Sequence, residues 1–298
     1  MSRYAMETTK TNEQRVNDDN VVNFEDKKPH MSQSSLSMLA KCGEQYRRRY
    51  IEGDRYPPGI AMLVGRATDQ TVSYDLENKI KKGELLSSDI IKDFAADAIK
   101  KELKNSEFVL GNEEKEMGLK VVKGEATDNS IALSLLHHNI LAPEINPIDV
   151  QKWFRIELEG FDFDLVGLID IEEENAIRDT KTSGKTPNVG IEHKSDQLTI
   201  YAMNRYAETG KMPEKLFLDY LVNGKKTNTA GTRETWRDEN DIRTMLNRIE
   251  TAAEIIQKEV YMPTNPDNWW CSQKYCGYWD TCPYINSKAF YLTGGIKK

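Results

Sequence analysis

Cysteine is scarce in this chain: four residues in 298, at Cys42, Cys271, Cys276 and Cys282. A reducing compartment disfavours disulfides, and closely spaced thiols there more often bind metal. One cysteine near the start and three within CSQKYCGYWDTC leave no spare thiol. The arrangement reads most simply as one tetrathiolate metal centre tying the two ends together. Long apolar runs are also missing, since none approaches the roughly 18 residues of a membrane span. The opening MSRYAMETTKTNEQRVNDDN lacks the apolar core of a secretion signal, so a cytoplasmic protein with no membrane association is expected. An excess of basic charge is absent too: 48 acidic residues against 41 basic ones give a net charge of −7. Such a balance does not announce a nucleic-acid binder, yet leaves room for a local basic groove. Internal repeats are lacking, as is any low-complexity tract beyond the polar start.

What is present divides into a polar tail, a helical first part and a strand-rich second part. Residues 1–28 are too poor in clustered apolar side chains to offset ordering entropy, and a disordered tail is expected there. The serines at 32–37 introduce a helix through Cys42 to Ile51. Further helices are expected over Ala61–Ile80, Ser88–Leu103 and Glu113–Leu141, the last closed by Pro143 and Pro147. From Gln151 short apolar strands follow: WFRIELEG, FDFDLVGLIDI and NAIRDTKT, read as an antiparallel meander. Val189–Thr209 reads as a helix stopped by Gly210, and Lys215–Val222 as a strand with a partner at Thr229–Trp236. The apolar spacing from Ile242 to Ile256 gives the clearest amphipathic helix.

Candidate chemistry gathers on the central hairpin. Asp170 ends one apolar strand, and Asp179 and Lys181 sit on the next, sharing a face by alternation with Thr180 opposite. Two carboxylates at short range suit a hard divalent cation such as Mg²⁺. A neighbouring lysine can orient a water and offset charge on a phosphate, the minimum for metal-assisted phosphodiester hydrolysis. A plain cross-strand Asp–Lys pair is the other reading of the same residues. Gln197 and Tyr201, four apart on the following helix, share a face and can brace Lys181 or hold DNA. His137 and His138 are adjacent on a helix and point apart, which argues for structural roles. His193 lies near the Gln197 helix. Arg47, Arg48 and Arg49 with Lys41 and Arg55, and Lys79, Lys81 and Lys82, form two basic patches. Both read as solvated faces or as places to steer a phosphate backbone.

With GLID ending at Asp170, Asp179-Thr180-Lys181, Gln197 to Tyr201 and the one-plus-three cysteines outside them, the chain resembles the PD-(D/E)xK nucleases of the RecB type. The nearest branch is the iron–sulfur one, with the AddB nuclease domain and the CRISPR-associated RecB-like exonucleases. The resemblance spans Ser32 to Pro283. It implies a mixed α/β, restriction-endonuclease-like core: a central mixed sheet flanked by helices, a helical insertion and a Cys-rich C-terminal cap. The expected organisation is one nuclease domain over 29–298, with a helical part at 32–142, a catalytic core at 150–260 and a cap at 261–290.

The resemblance further implies a DNA exonuclease acting on single-stranded or duplex ends in recombination, repair or phage DNA processing. Mg²⁺ or Mn²⁺ would be held by Asp170, Asp179, the Thr180 carbonyl and Asp69, with Lys181, Gln197 and Tyr201 beside it. A 4Fe-4S cluster would sit on the four cysteines, where Zn²⁺ is the alternative. The aromatic residues Trp269, Trp270, Tyr275, Tyr278 and Trp279 would shield that centre. A helicase, an annealing protein or an integrase are the companions it suggests. Two positions depart from the family pattern. Asp69 stands where a histidine is common, and four residues rather than two separate Cys271 from Cys276. The rival reading is a DNA-binding or assembly subunit that keeps the fold without turnover.

Overall fold

A computed structural model describes residues 6–8, 29–224 and 226–285. The chain divides into two compact units, the described parts of Met1–Gln33 with Gly59–Arg248, and of Ser34–Pro58 with Ile249–Lys298. The expected tail over 1–28 lies outside the described residues, apart from Met6–Thr8, which form the short strand β1.

The larger unit is a mixed sheet with helices. Strands β2 (His30–Ser32), β3 (Pro147–Leu158), β4 (Asp164–Glu173), β5 (Ala176–Ser183), β6 (Lys215–Val222) and β7 (Thr229–Thr235) join β1 in the order β1-β3-β4-β5-β6-β7, with β2 beside β4. As expected from the hairpin spacing, β3, β4 and β5 run antiparallel. β5 and β6 are parallel over eight residue pairs. A parallel pair needs a crossover, and the helix α7 (Asp196–Thr209) supplies it.

The β4 strand carries the feature that shapes the site. One edge is taken by β3 through Ile171. Both other neighbours therefore share the opposite edge: β2 pairs in parallel at Asp164–Val166, and β5 joins only at Ile171↔Arg178 and Glu172↔Ile177. Between them β4 and β5 part company, leaving a fork at Asp170. Sequence patterning stops the strand at Asp170; in the fold it runs on to Glu173, because pairing with β3 continues past the acid.

Three helices back the sheet: α3 (Ile60–Lys82), α4 (Ser88–Asn105) and α6 (Leu119–Leu136). Leu63 and Leu76 of α3, Ile99 of α4 and Leu133 of α6 form one core with Val150, Ile171 and Leu221 of the sheet. Their ends follow ordinary capping rules. Ser87 accepts from Ile90 N at 3.5 Å, and α3 stops at Gly83 with φ +79°.

Two helices of this unit are shorter than their apolar spacing suggests. Gly118, at φ +83°, divides the long helix into α5 (Asn112–Met117) and α6, which passes into a π-helical turn at His137–Leu141. Val189–Ile191 is not helical, because Gly190 sits at φ +90°; α7 starts only where Ser195 caps it by accepting from Leu198 N.

In the smaller unit, the helix expected through Cys42 breaks at that residue, whose extended backbone separates α1 (Gln33–Lys41) from α2 (Gly43–Tyr46). There Gly43 N donates to Met262 O at 2.8 Å, and a Cβ on Gly43 would stand 2.7 Å from that same backbone. Helix α8 (Glu239–Gln257) buries Ile242, Met245, Leu246 and Ile249 as its pattern predicts. Among the described residues no helix is long and apolar enough to cross a membrane.

Candidate active site

At the fork, residues of β4 and β5 that would continue the ladder turn their polar groups on one another. Thr180 N donates to Asp170 Oδ2 at 2.9 Å. Lys181 Nζ donates to Asp179 Oδ1 at 2.7 Å and to Gln197 Oε1 at 2.9 Å. Gln197 Nε2 in turn donates to the Tyr201 hydroxyl at 2.5 Å, which donates to Leu168 O at 2.5 Å and lies 3.3 Å from Asp170 Oδ1. The one-turn spacing of Gln197 and Tyr201 on α7 thus bridges the two strands. All five residues singled out by order and alternation meet in one cluster.

The electrostatics are unequal across it. Asp179 is fully buried, and burial pushes its carboxyl up to about 7; the Lys181 ammonium opposes the rise and Asp170 adds to it. Burial works against charge on Lys181, but Asp179 and Asp170 outweigh it and hold the ammonium above the ordinary lysine value. Lys181 keeps 48% of its side chain exposed, while its ammonium is held between Asp179 and Gln197. Tyr201 stays protonated: burial, then the two nearby acids, drives its phenol well above the usual range.

Asp69 comes from α3. Gln151 Nε2 lies 3.2 and 3.3 Å from its two oxygens, and the Asp69 charge is felt at Lys181. Gln151 escapes a sequence reading, since a glutamine in a strand reads as one more polar residue.

The donor set fits a hard cation. Among the described residues Asp179 Oδ2 has no hydrogen-bond partner although it is buried. A buried carboxylate oxygen left so is costly unless a proton or a cation faces it. The set offers two carboxylates and a backbone carbonyl, and Mg²⁺ keeps waters in its other positions. As the side chains stand, no group of three or more His, Cys, Asp or Glu among the described residues is gathered at metal-binding spacing.

Both ring nitrogens of buried His137 lack a partner among the described residues, while His138 Nδ1 meets Asp75 Oδ2 at 2.8 Å. His193 Nδ1 meets Thr235 Oγ1 at 2.9 Å. Of the basic patches, Arg47 and Arg48 are held by Glu44, Lys81 by Glu77, and Lys79 donates to the carbonyls of Ala142, Pro143 and Ile145. These cations serve the fold.

In the smaller unit Cys42, Cys271, Cys276 and Cys282 line one cavity of about 30 Å³, and no disulfide joins them. Gln45 Nε2 lies 3.3 Å from Cys276 Sγ, and Thr264 N lies 3.5 Å from Cys42 Sγ. The four sulfurs line one space, although no three of them stand at metal-binding spacing among the described residues. Of the aromatic residues expected to shield it, Tyr278 lines the cavity, whereas Trp269 and Tyr275 are exposed and pack edge to face on each other.

The sequence profile of the PD-(D/E)XK nuclease superfamily matches residues 30–283, which include the fork, its acids and all four cysteines. The chain belongs to that superfamily. Membership supports a hydrolytic nuclease, a class that uses divalent metals such as Mg²⁺. The mixed sheet flanked by helices is its restriction-endonuclease-like fold.

Among solved structures, a candidate exonuclease from Eubacterium rectale aligns with a TM-score of 0.55 and 16% identity, over 95% of this chain and 100% of its own; at that identity it speaks to fold alone. The crystal structure of SSO0001 aligns at 17% identity and a TM-score of 0.34, over 85% of this chain and 95% of its own. Among curated proteins none matches.

Proposed function

We propose that this PD-(D/E)XK protein is a Mg²⁺- or Mn²⁺-dependent DNA exonuclease that cuts phosphodiester bonds at DNA ends. The carrying observation is the fork: a buried acid with an uncompensated oxygen, a second acid beside it, and a half-exposed lysine whose ammonium lies against the buried acid. Asp170, Asp179, the Thr180 carbonyl and Asp69 would hold the ion, which when bound supplies Lewis acidity toward the phosphate and a more acidic water. Lys181 donates toward the non-bridging oxygens, where negative charge builds during attack. Gln197 fixes the direction of that ammonium, and Tyr201 carries the fixing bond back to the strand that bears Asp170.

End-labelled DNA, single-stranded and blunt, incubated with Mg²⁺ or Mn²⁺ tests the reading. Wild type should degrade it, and Lys181→Ala should lose on the order of 10²-fold or more in rate, the scale of a lost electrostatic stabiliser. No degradation by wild type, or equal degradation by the variant, would support the inactive-subunit alternative instead.

The same reading assigns a 4Fe-4S cluster to the four cysteines, with Zn²⁺ as the other occupant. Four protein thiolates close the coordination, so its part is structural. Protein isolated without oxygen should be brown and contain iron and sulfide; colourless protein with one zinc would overturn the cluster.

A further inference from the structure

Gln151 stands at an unusual point of β3. The ladder pairs Val150 with Ile171 and Lys152 with Ile169, so Gln151 falls opposite Asp170 in the register. Its φ is +51°, one of two non-glycine residues with positive φ in the described chain. Left-handed backbone costs a residue with a Cβ free energy, and such positions persist where the surroundings over-determine them, often at functional sites. Here the side chain that benefits is identifiable: the carboxamide nitrogen meets both oxygens of Asp69 on α3, at 3.3 and 3.2 Å. Ordinary strand alternation places position 151 on a fixed side of the sheet; the left-handed residue interrupts that geometry at the point where the glutamine reaches the helix.

We propose that Gln151 is a positioning residue that holds Asp69 in place as a third carboxylate toward the divalent ion. The inference rests on the nuclease reading above and adds a role for Gln151, which acts through Asp69. Asp69 belongs to α3, whereas Asp170 and Asp179 belong to the sheet. A carboxylate delivered from a helix needs a tether to strand geometry if it is to share an ion with carboxylates on strands. Gln151 is that tether: its backbone lies beside Asp170, and its side chain ends on Asp69. Groups that orient metal ligands commonly change metal affinity by roughly 10- to 100-fold when removed.

The test uses the full chain and two truncations that differ only in backbone comfort, Gln151→Ala and Gln151→Gly. Both delete the amide. Glycine accepts positive φ freely, so Gln151→Gly should melt no lower than Gln151→Ala. Mn²⁺ binding, read without DNA from the EPR signal of the free ion, should weaken roughly tenfold or more in both variants alike. Asp69→Ala should show the same loss, and Asp69→Ala with Gln151→Ala no more than Asp69→Ala alone. The Mg²⁺ concentration for half-maximal DNA hydrolysis should rise in step.

Unchanged Mn²⁺ binding in both Gln151 variants, full additivity in the double variant, or affinity that follows melting temperature would each overturn the positioning role while leaving the nuclease reading intact. A wild-type chain that neither binds Mn²⁺ nor hydrolyses DNA overturns both.

Discussion

His137 shows how a single buried side chain couples this fold to pH. It is 1% exposed, and burial, then Arg178 and His138, pushes its pKa down to about 3 from the ordinary 6.5. Above pH 6.5 the ring is neutral in both folded and unfolded chains and has no effect on the pH dependence. Below that value the unfolded chain takes up a proton that the folded chain refuses until about pH 3. Stability is therefore lost as pH falls from 6.5 toward 3, at up to about 1.4 kcal/mol per pH unit, or on the order of 2 kcal/mol at pH 5. Neither ring nitrogen has a partner among the described residues, so His137→Leu deletes no bond seen there. The melting temperature of that variant relative to wild type should stay level from pH 7.5 to about pH 6.5 and rise from there to pH 5. Parallel melting curves over the range would show that the histidine titrates alike in the folded and unfolded chains.

At the scale of elements, the glycine of the GLID segment has a physical task. Phe154 pairs with Gly167 across β3 and β4, and a Cβ at 167 would stand 2.3 Å from the far edge of the Phe154 ring. That ring packs edge-on against Tyr201, with centroids 6.2 Å apart. Gly167→Ala should push the phenylalanine toward the tyrosine, cost about 1–3 kcal/mol by overpacking, and lower DNA hydrolysis by displacing the hydroxyl near Asp170. Adding Phe154→Leu should recover much of the melting temperature and rate; no recovery would place the damage elsewhere.

Much at this scale is readable in advance. Lys215–Val222 is a strand over the residues its alternation marks, and Ser195 and Gly210 bound α7 as capping residues do. The order of Asp170, Asp179, Lys181, Gln197 and Tyr201 points to one cluster, and those residues meet. The fork itself is not readable. It depends on β2, a three-residue strand from far upstream, sharing an edge of β4 with β5. Gln151 is hidden for a similar reason, because nothing local to a strand reveals which helix carboxylate waits across the fold. The break at Cys42 answers to Met262, more than two hundred positions later.

The two units are interleaved along the chain: Ser34–Pro58 of the smaller falls between the two segments of the sheet unit, Met1–Gln33 and Gly59–Arg248, and its second segment follows them. If a metal–sulfur centre holds those segments, Cys42→Ser should release it and expose 34–58 and 249–285 to protease while the sheet residues stay protected. Equal protection of both units in wild type and variant would show that packing alone suffices. Such an order of segments sets a timetable for synthesis. Cys42 leaves the ribosome early, but Cys271, Cys276 and Cys282 follow only after every residue of the fork has been made. A polypeptide stalled before its final stretch would carry every residue of the fork and only one of the four cysteines.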